Sequence, residues 1–184
     1  MTLDLTIRPA RPDDAAALAA FAERVFRATF GPHNRADDMD LYCREAYSLD
    51  AQRHELEDPE YRTVLAFARG ELAGYAQLRT GAPPPCVTGP RPIEIKRLYV
   101  DQRWQGGGVA QALMAHAFEL AHQLGAETVY LSVWQHNHRA IAFYAKLGFV
   151  TVGSAPFVLG TDRQVDPVMM RPLAHRRAAA ASAT

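Results

Sequence analysis

The stretch "LYVDQRWQGGGVAQALMAHAFELAHQLGAETVYLSVW", residues 98–134, limits what this chain can fold into more than any other. Its two ends are β-type runs, and between them three consecutive glycines lead directly into a helical pattern. Val109, Leu113, Ala117, Leu120, Ala121 and Leu124 share one face of that helix, and Gly125 stands where the helix should stop. Glycine costs about 0.5–1 kcal/mol relative to alanine inside a regular element, so three at a helix start need a reason. The first backbone N–H groups of a helix have no intrahelical partner, and the macrodipole adds positive charge there. Removing three Cβ atoms lets an anion such as a phosphate reach those groups. A dinucleotide-binding GxGxxG turn does not fit, because Gln111 stands at its third glycine position, and a P-loop lacks its Gly-Lys-Ser/Thr.

The rest of the chain builds an α/β domain around this unit. "LTIRPA" reads as a first strand ended by Pro9 and Pro12, and Asp13 or Asp14 can cap a helix buried through Leu18, Phe21, Val25 and Phe26. Met39, Tyr42, Cys43 and Ala46 have helical spacing. "RTVLAFARGELAGYAQLRT" reads as two strands joined at Arg69-Gly70, and "GAPPPCVTGPRP" as a loop. "IEIKRLYV" is a strand, "NHRAIAFYAKLG" a short helix capped by Asn137 and stopped by Gly148, and the last two apolar runs pair as closing strands. Residues 1–173 are expected to form one domain, and the tail 174–184, which has no apolar pattern, is expected to be mobile.

Composition excludes several classes. The 184 residues carry zero formal net charge, which gives no support for nucleic-acid binding. No apolar run approaches the roughly 18–20 residues that span a bilayer, and the N-terminus lacks a secretory pattern. Two cysteines without metal-ligand spacing point to a reduced, cytoplasmic setting. His136 and His138 have no third ligand nearby, so no metal is expected. Residues 35–60 hold nine carboxylates against three arginines, which suits either a solvated helical face or attraction of a cationic substrate.

"QGGGVA" at 105–110 and "NHRAIAFYAKLGF" at 137–149, with a strand before and between, resemble the two signature blocks of the GNAT N-acetyltransferase superfamily. The likeness runs from about Ile93 to Phe149. It implies a mixed, mostly antiparallel twisted sheet of about six to seven strands flanked by about four helices. It also implies acetyl-CoA as cosubstrate, with its pyrophosphate on the backbone of Gln105, Gly106, Gly107, Gly108, Val109, Ala110 and Gln111. The pantetheine arm would pair as an extra strand with Leu98, Tyr99 and Val100. Asn137 would contact that arm, besides capping its helix. Lys146 is placed to reach a CoA phosphate, or is simply solvated.

Acetyl transfer to an amine needs a neutral amine, a stabilised oxyanion and a proton for the departing thiolate. Tyr144 matches the superfamily tyrosine that serves the sulfur, and a tyrosine is protonated at neutral pH. Strand alternation puts Glu94, Lys96, Leu98 and Val100 on one face, and some superfamily members carry a general-base glutamate at the position of Glu94. The alternative for Glu94 is an exposed strand residue paired with Lys96 or Arg97.

For the acceptor, Thr29-Phe30, Met39, Tyr42, "IEI" at 93–95 and "VW" at 133–134 resemble the bacterial PaiA-type spermidine/spermine acetyltransferases. Lys96 departs from that pattern, which has an acid there, and a cation would oppose a polyamine. The readings are therefore a small-molecule amine acetyltransferase, polyamines included; an acetyltransferase of protein N-termini or lysines; and a non-catalytic acetyl-CoA sensor, which would need neither Tyr144 nor Glu94. Paired subunits are common in the superfamily, so a homodimer is admissible.

Overall fold

The structure is a computed structural model that describes residues 4–173. Seven strands form one sheet: β1 (Leu5–Pro9), β2 (Tyr61–Ala68), β3 (Glu71–Arg79), β4 (Pro92–Val100), β5 (Thr128–Ser132), β6 (Val150–Leu159) and β7 (Asp162–Pro172). Their spatial order is β1-β2-β3-β4-β5-β7-β6, and only β4 and β5 run parallel. Five helices cover the sheet: α1 (Ala15–Phe30), α2 (Ala36–Ala46), α3 (Leu49–Glu57), α4 (Val109–Gln123) and α5 (His138–Lys146). The reading of residues 174–184 as a mobile tail falls outside the described residues. None of the described helices is long and apolar enough to cross a membrane.

Local chemistry accounts for most of these elements. Arg69 (φ 53°) and Gly70 (φ 79°) turn β2 into β3 with both central residues left-handed, as a two-residue hairpin requires. Asn137 caps α5 by accepting from the Ala140 N–H at 3.1 Å. Asp14 precedes α1 but does not cap it. Its carboxylate turns back to the Arg11 N–H and makes two 2.7 Å hydrogen bonds with Arg8. Helix α3 goes beyond the sequence reading; Ser48 starts it by accepting from the Ala51 N–H.

The sheet separates two cores. On one side α4 buries Val109, Leu113, Met114, Ala117 and Ala121 over Ile93, Ile95 and Leu131, and α5 adds Tyr144. Each fully buried side chain of Leu, Ile or Met size contributes roughly 1.5–3 kcal/mol. On the other side α1 and α2 bury Leu18, Phe21, Phe26 and Met39 over Leu65, Tyr75 and Leu159.

Two features shape the functional region. The first is a splay: β4 pairs with β3 up to Val100, but with β5 only through Pro92–Glu94 against Thr128–Tyr130. The second is a bulge. Gln77 faces Arg97 while Leu78 faces Ile95, so Lys96 is an extra residue on β4. The bulge corrects the face assignment made from alternation. Leu98 and Val100 lie with Ile93 and Ile95 on the α4 side, whereas Glu94 shares the opposite face with Arg97 and Tyr99.

Asp38, buried at the start of α2, clasps the β6–β7 turn by accepting from the Thr161 N–H and hydroxyl, both at 2.7 Å. These bonds hold its pKa below the ordinary aspartate value. Its contribution to stability is therefore present at neutral pH and fades as pH falls below the unfolded value, about 4. Asp38→Asn is expected to lower the melting temperature at pH 7 by several degrees and to flatten its decline between about pH 4 and pH 2, as read by thermal melts across pH.

Candidate active site

The parting of β4 and β5 opens a wedge whose vertex lies at Glu94 and Tyr130. From Ile95 to Val100 the β5-facing edge of β4 has no strand partner among the described residues. The glycine turn stands at the open end. Gly106 and Gly108 have positive φ (83° and 86°), and a Cβ built on either would meet nothing within 4 Å. Gly108 is the N-cap of α4, and no side chain caps that helix. The N–H groups of Gly106, Gly108, Val109, Ala110 and Gln111 have no acceptor among the described residues. A cradle of bare backbone with free donors at a helix start suits a pyrophosphate.

Three expectations about this turn shift. The Gln105 N–H donates to Gln102 O and the Gly107 N–H to Trp104 O, both at 3.3 Å, so neither is part of the free set. The Gln105 side chain instead spans the wedge, donating to Val100 O at 3.1 Å and accepting from Arg139 on α5. Lys146 is exposed in the last turn of α5 and makes no ion pair among the described residues, so the cation that meets the glycine turn is Arg139. Only the fold brings Arg139 to residue 105, so the sequence carries no local signal for it.

Tyr144 projects from α5 into the core between Phe143 and Phe149, at 5.4 and 5.7 Å between ring centroids. It is 8% exposed, and burial alone drives its phenol above the ordinary tyrosine range. The hydroxyl makes no hydrogen bond among the described residues.

Glu94 is buried on the α1–α2 side of the sheet. Arg79 Nη2 stands 2.9 Å from Glu94 Oε2, yet no hydrogen is aligned on that oxygen, which remains without a hydrogen bond. Neither Lys96 nor Arg97 is its ion-pair partner. Arg97 turns instead to a buried network, donating to Glu55 and, at 2.8 Å, to Gln77 Oε1, with its guanidinium 5.2 Å from the Tyr47 ring centroid. Desolvation, with Arg79 and Arg97 nearby, holds Lys96 below the usual lysine range, against the opposing pull of Glu94 and Glu55, although the residue as a whole is exposed.

An aromatic wall lines the α1–α2 side of the sheet, the side on which Glu94 lies. Tyr42 stacks on Phe26 and meets Phe157, Tyr47 bonds Tyr99 at 3.3 Å between hydroxyls, and Trp134 lies against Phe30 and His33. Burial pushes the phenols of Tyr42, Tyr47, Tyr75 and Tyr99 up, so the wall stays uncharged at neutral pH. The acidic stretch 35–60 contributes less than its charge suggests. Asp38 holds Thr161, Asp40 pairs with Arg27, Glu55 with Arg97, and Asp58 caps Glu60. A surface groove of about 470 Å³ runs along β1 and α3, between Pro9, Tyr61 and Gln123, away from the wedge. Among the described residues no cluster of three or more His, Cys, Asp or Glu could hold a metal ion.

The model of the acetyltransferase (GNAT) family matches residues 22–149, and the chain belongs to that family. It is an acyltransferase of the N-acetyltransferase class. An uncharacterized N-acetyltransferase of Mycobacterium bovis is 34% identical over 160 residues, covering 87% of this chain and 98% of that protein. The spermine/spermidine N(1)-acetyltransferase of Bacillus subtilis is 25% identical over 131 residues, covering 67% of this chain and 86% of that one. Among solved structures, the PaiA N-acetyltransferase of Thermoplasma acidophilum in complex with coenzyme A superposes with a TM-score of 0.75 at 20% identity, over 92% of this chain and 99% of the other.

Proposed function

We propose that the protein moves an acetyl group from acetyl-CoA directly to a primary amine in the β4–β5 wedge, and that the acceptor is a polyamine of the spermidine/spermine class. The observation that carries the proposal is the alignment of three features along one wedge. Free N–H groups of the α4 start stand at the open end, an unpaired β4 edge runs along the arm, and a buried carboxylate lies at the vertex. The likeness to the Bacillus subtilis spermine/spermidine enzyme supports the acceptor class.

In this reading the pyrophosphate rests on Gly106, Gly108, Val109, Ala110 and Gln111, and Arg139 adds a positive charge across the turn. The Leu98–Val100 edge receives the pantetheine amides as a strand would. The amine enters from the aromatic wall, and its nitrogen attacks the thioester carbonyl. As the C–S bond breaks, the proton from nitrogen passes to Glu94, directly or through water. Tyr144 donates its hydrogen to the departing sulfur. A phenol above the usual value of about 10 is a weaker acid than a thiol near 8.5, so Tyr144 serves chiefly as a hydrogen-bond donor to the developing thiolate.

Glu94→Gln keeps the shape of the vertex and removes the base. The expected result is a kcat lower by about 10²-fold, with acetyl-CoA affinity unchanged by calorimetry. An unaltered rate and pH profile would assign deprotonation to another group or to solvent.

A further inference from the structure

The sheet carries a second buried carboxylate on the acceptor side of the wedge. Asp166 on β7 is 6% exposed, and its Oδ1 has no hydrogen-bond partner. Its place follows from register. Glu94 faces Tyr130, Tyr130 faces Met170, and Met170, Val168 and Asp166 alternate onto the same face of β7. Two neighbours confirm the side. Ala155, directly opposite Asp166, packs with Tyr130 and Val168, and Phe157, opposite Gln164, packs with Tyr42. From the Glu94 level, Asp166 lies four residues further along β7, in the direction in which β4 and β5 part, and two strands across. That is roughly 16 Å at about 3.3 Å per residue and 4.8 Å per strand. Asp166 therefore stands on the far arm of the wedge, on the face where Glu94 marks the vertex.

Its surroundings suit a cation. Burial dominates and raises the pKa of its carboxyl, while the Gln135 backbone N–H and, at longer range, His136 act the other way and favour the charged form. The segment that brings these groups also carries Trp134, whose ring lies 5.2 Å from His136, 5.2 Å from His33 and 5.7 Å from Phe30. Gln164, next to Asp166 on the same face, donates to Asn34 Oδ1 and ties this strand to the segment after α1. A buried carboxylate oxygen without a partner has lost its water without compensation, a cost that a ligand ammonium would recover. Aromatic faces beside it add cation–π attraction.

We propose that Asp166 is the specificity-determining anchor for a second, non-reacting ammonium of the acceptor, so that the site selects elongated amines with a cation at each end. This inference rests on reading the wedge as the amine site. An extended polyamine spans the gap between the two carboxylates, one nitrogen reacting near Glu94 and another held at Asp166, whereas a monoamine leaves Asp166 unpaired.

The test compares 1,8-diaminooctane with octylamine, which are equal in chain length and differ in the far ammonium. Both are titrated calorimetrically into the CoA-loaded wild-type protein and into Asp166→Asn, an isosteric change whose fold is checked by its melt and its CoA affinity. The wild type is expected to bind the diamine at least tenfold more tightly than the monoamine, and Asp166→Asn to bring that ratio near one. In turnover, Asp166→Asn should raise KM for the diamine and leave kcat within about twofold. A wild-type ratio near one, or a high ratio that Asp166→Asn leaves intact, overturns the anchor; the wild-type arm decides even if the variant does not fold. Failure of the catalytic reading looks different: no amine releases thiol from acetyl-CoA, whatever the binding ratio.

Discussion

Gly108→Val is expected to raise the dissociation constant for acetyl-CoA by at least 100-fold while leaving a folded protein. Gly108 has φ 86°, a region that is a genuine outlier for a β-branched residue and costs an ordinary residue roughly 1–2 kcal/mol. The added Cβ meets nothing within 4 Å, so steric conflict inside the free protein is absent and the stability loss stays near that strain. The binding loss has two sources: the α4 N-cap is forced off its geometry, and an isopropyl group enters the space an incoming pyrophosphate would use. Gly107 is the internal control. Its φ is not positive, so Gly107→Ala is expected to change affinity by less than about threefold. Calorimetry on both variants decides, and an unaltered affinity for Gly108→Val would remove the phosphate role of this turn.

Tyr144→Phe is expected to lower kcat by about 10²–10³-fold with acetyl-CoA affinity and melting temperature nearly unchanged. The hydroxyl makes no hydrogen bond among the described residues, so its removal leaves no buried partner unsatisfied, and the ring keeps its packing on Phe143 and Phe149. Burial holds the phenol in its neutral form well past neutral pH. The deficit should therefore be flat from about pH 6 to pH 9, because the group being removed does not titrate there. Kinetics across pH provide the check. A full rate for Tyr144→Phe at every pH would leave the thiolate to solvent.

Much of this architecture is legible in the residues alone, because local chemistry fixes it. The positive φ at Gly106 and Gly108, the Asn137 cap and the Arg69-Gly70 turn each depend on a few adjacent positions. What pairing decides is not legible. The extra residue at Lys96 exists only because Gln77 faces Arg97 while Leu78 faces Ile95, and this offset moves Glu94 to the face opposite Leu98 and Val100. The same holds for the partner of Glu94, which comes from β3 as Arg79, and for Arg139, which reaches Gln105 across 34 residues. Asp166 had a faint signal, a lone carboxylate in the run "QVDPVMM", but its side of the sheet follows only from the β5–β7 register. The acidic stretch misleads for a related reason: charge counts along a chain do not show which carboxylates are engaged by Thr161, Arg27 or Arg97.

Thiol release from acetyl-CoA, followed over a panel of polyamines, monoamines, amino acids, aminoglycosides and peptides, bears most directly on whether the wedge is an amine acetylation site. The expected result is saturable release with spermidine and spermine, weaker release with monoamines, and loss of release in Tyr144→Phe. Binding of acetyl-CoA without thiol release for any amine would contradict catalysis at this site, and release with peptides alone would replace the polyamine acceptor by a protein one.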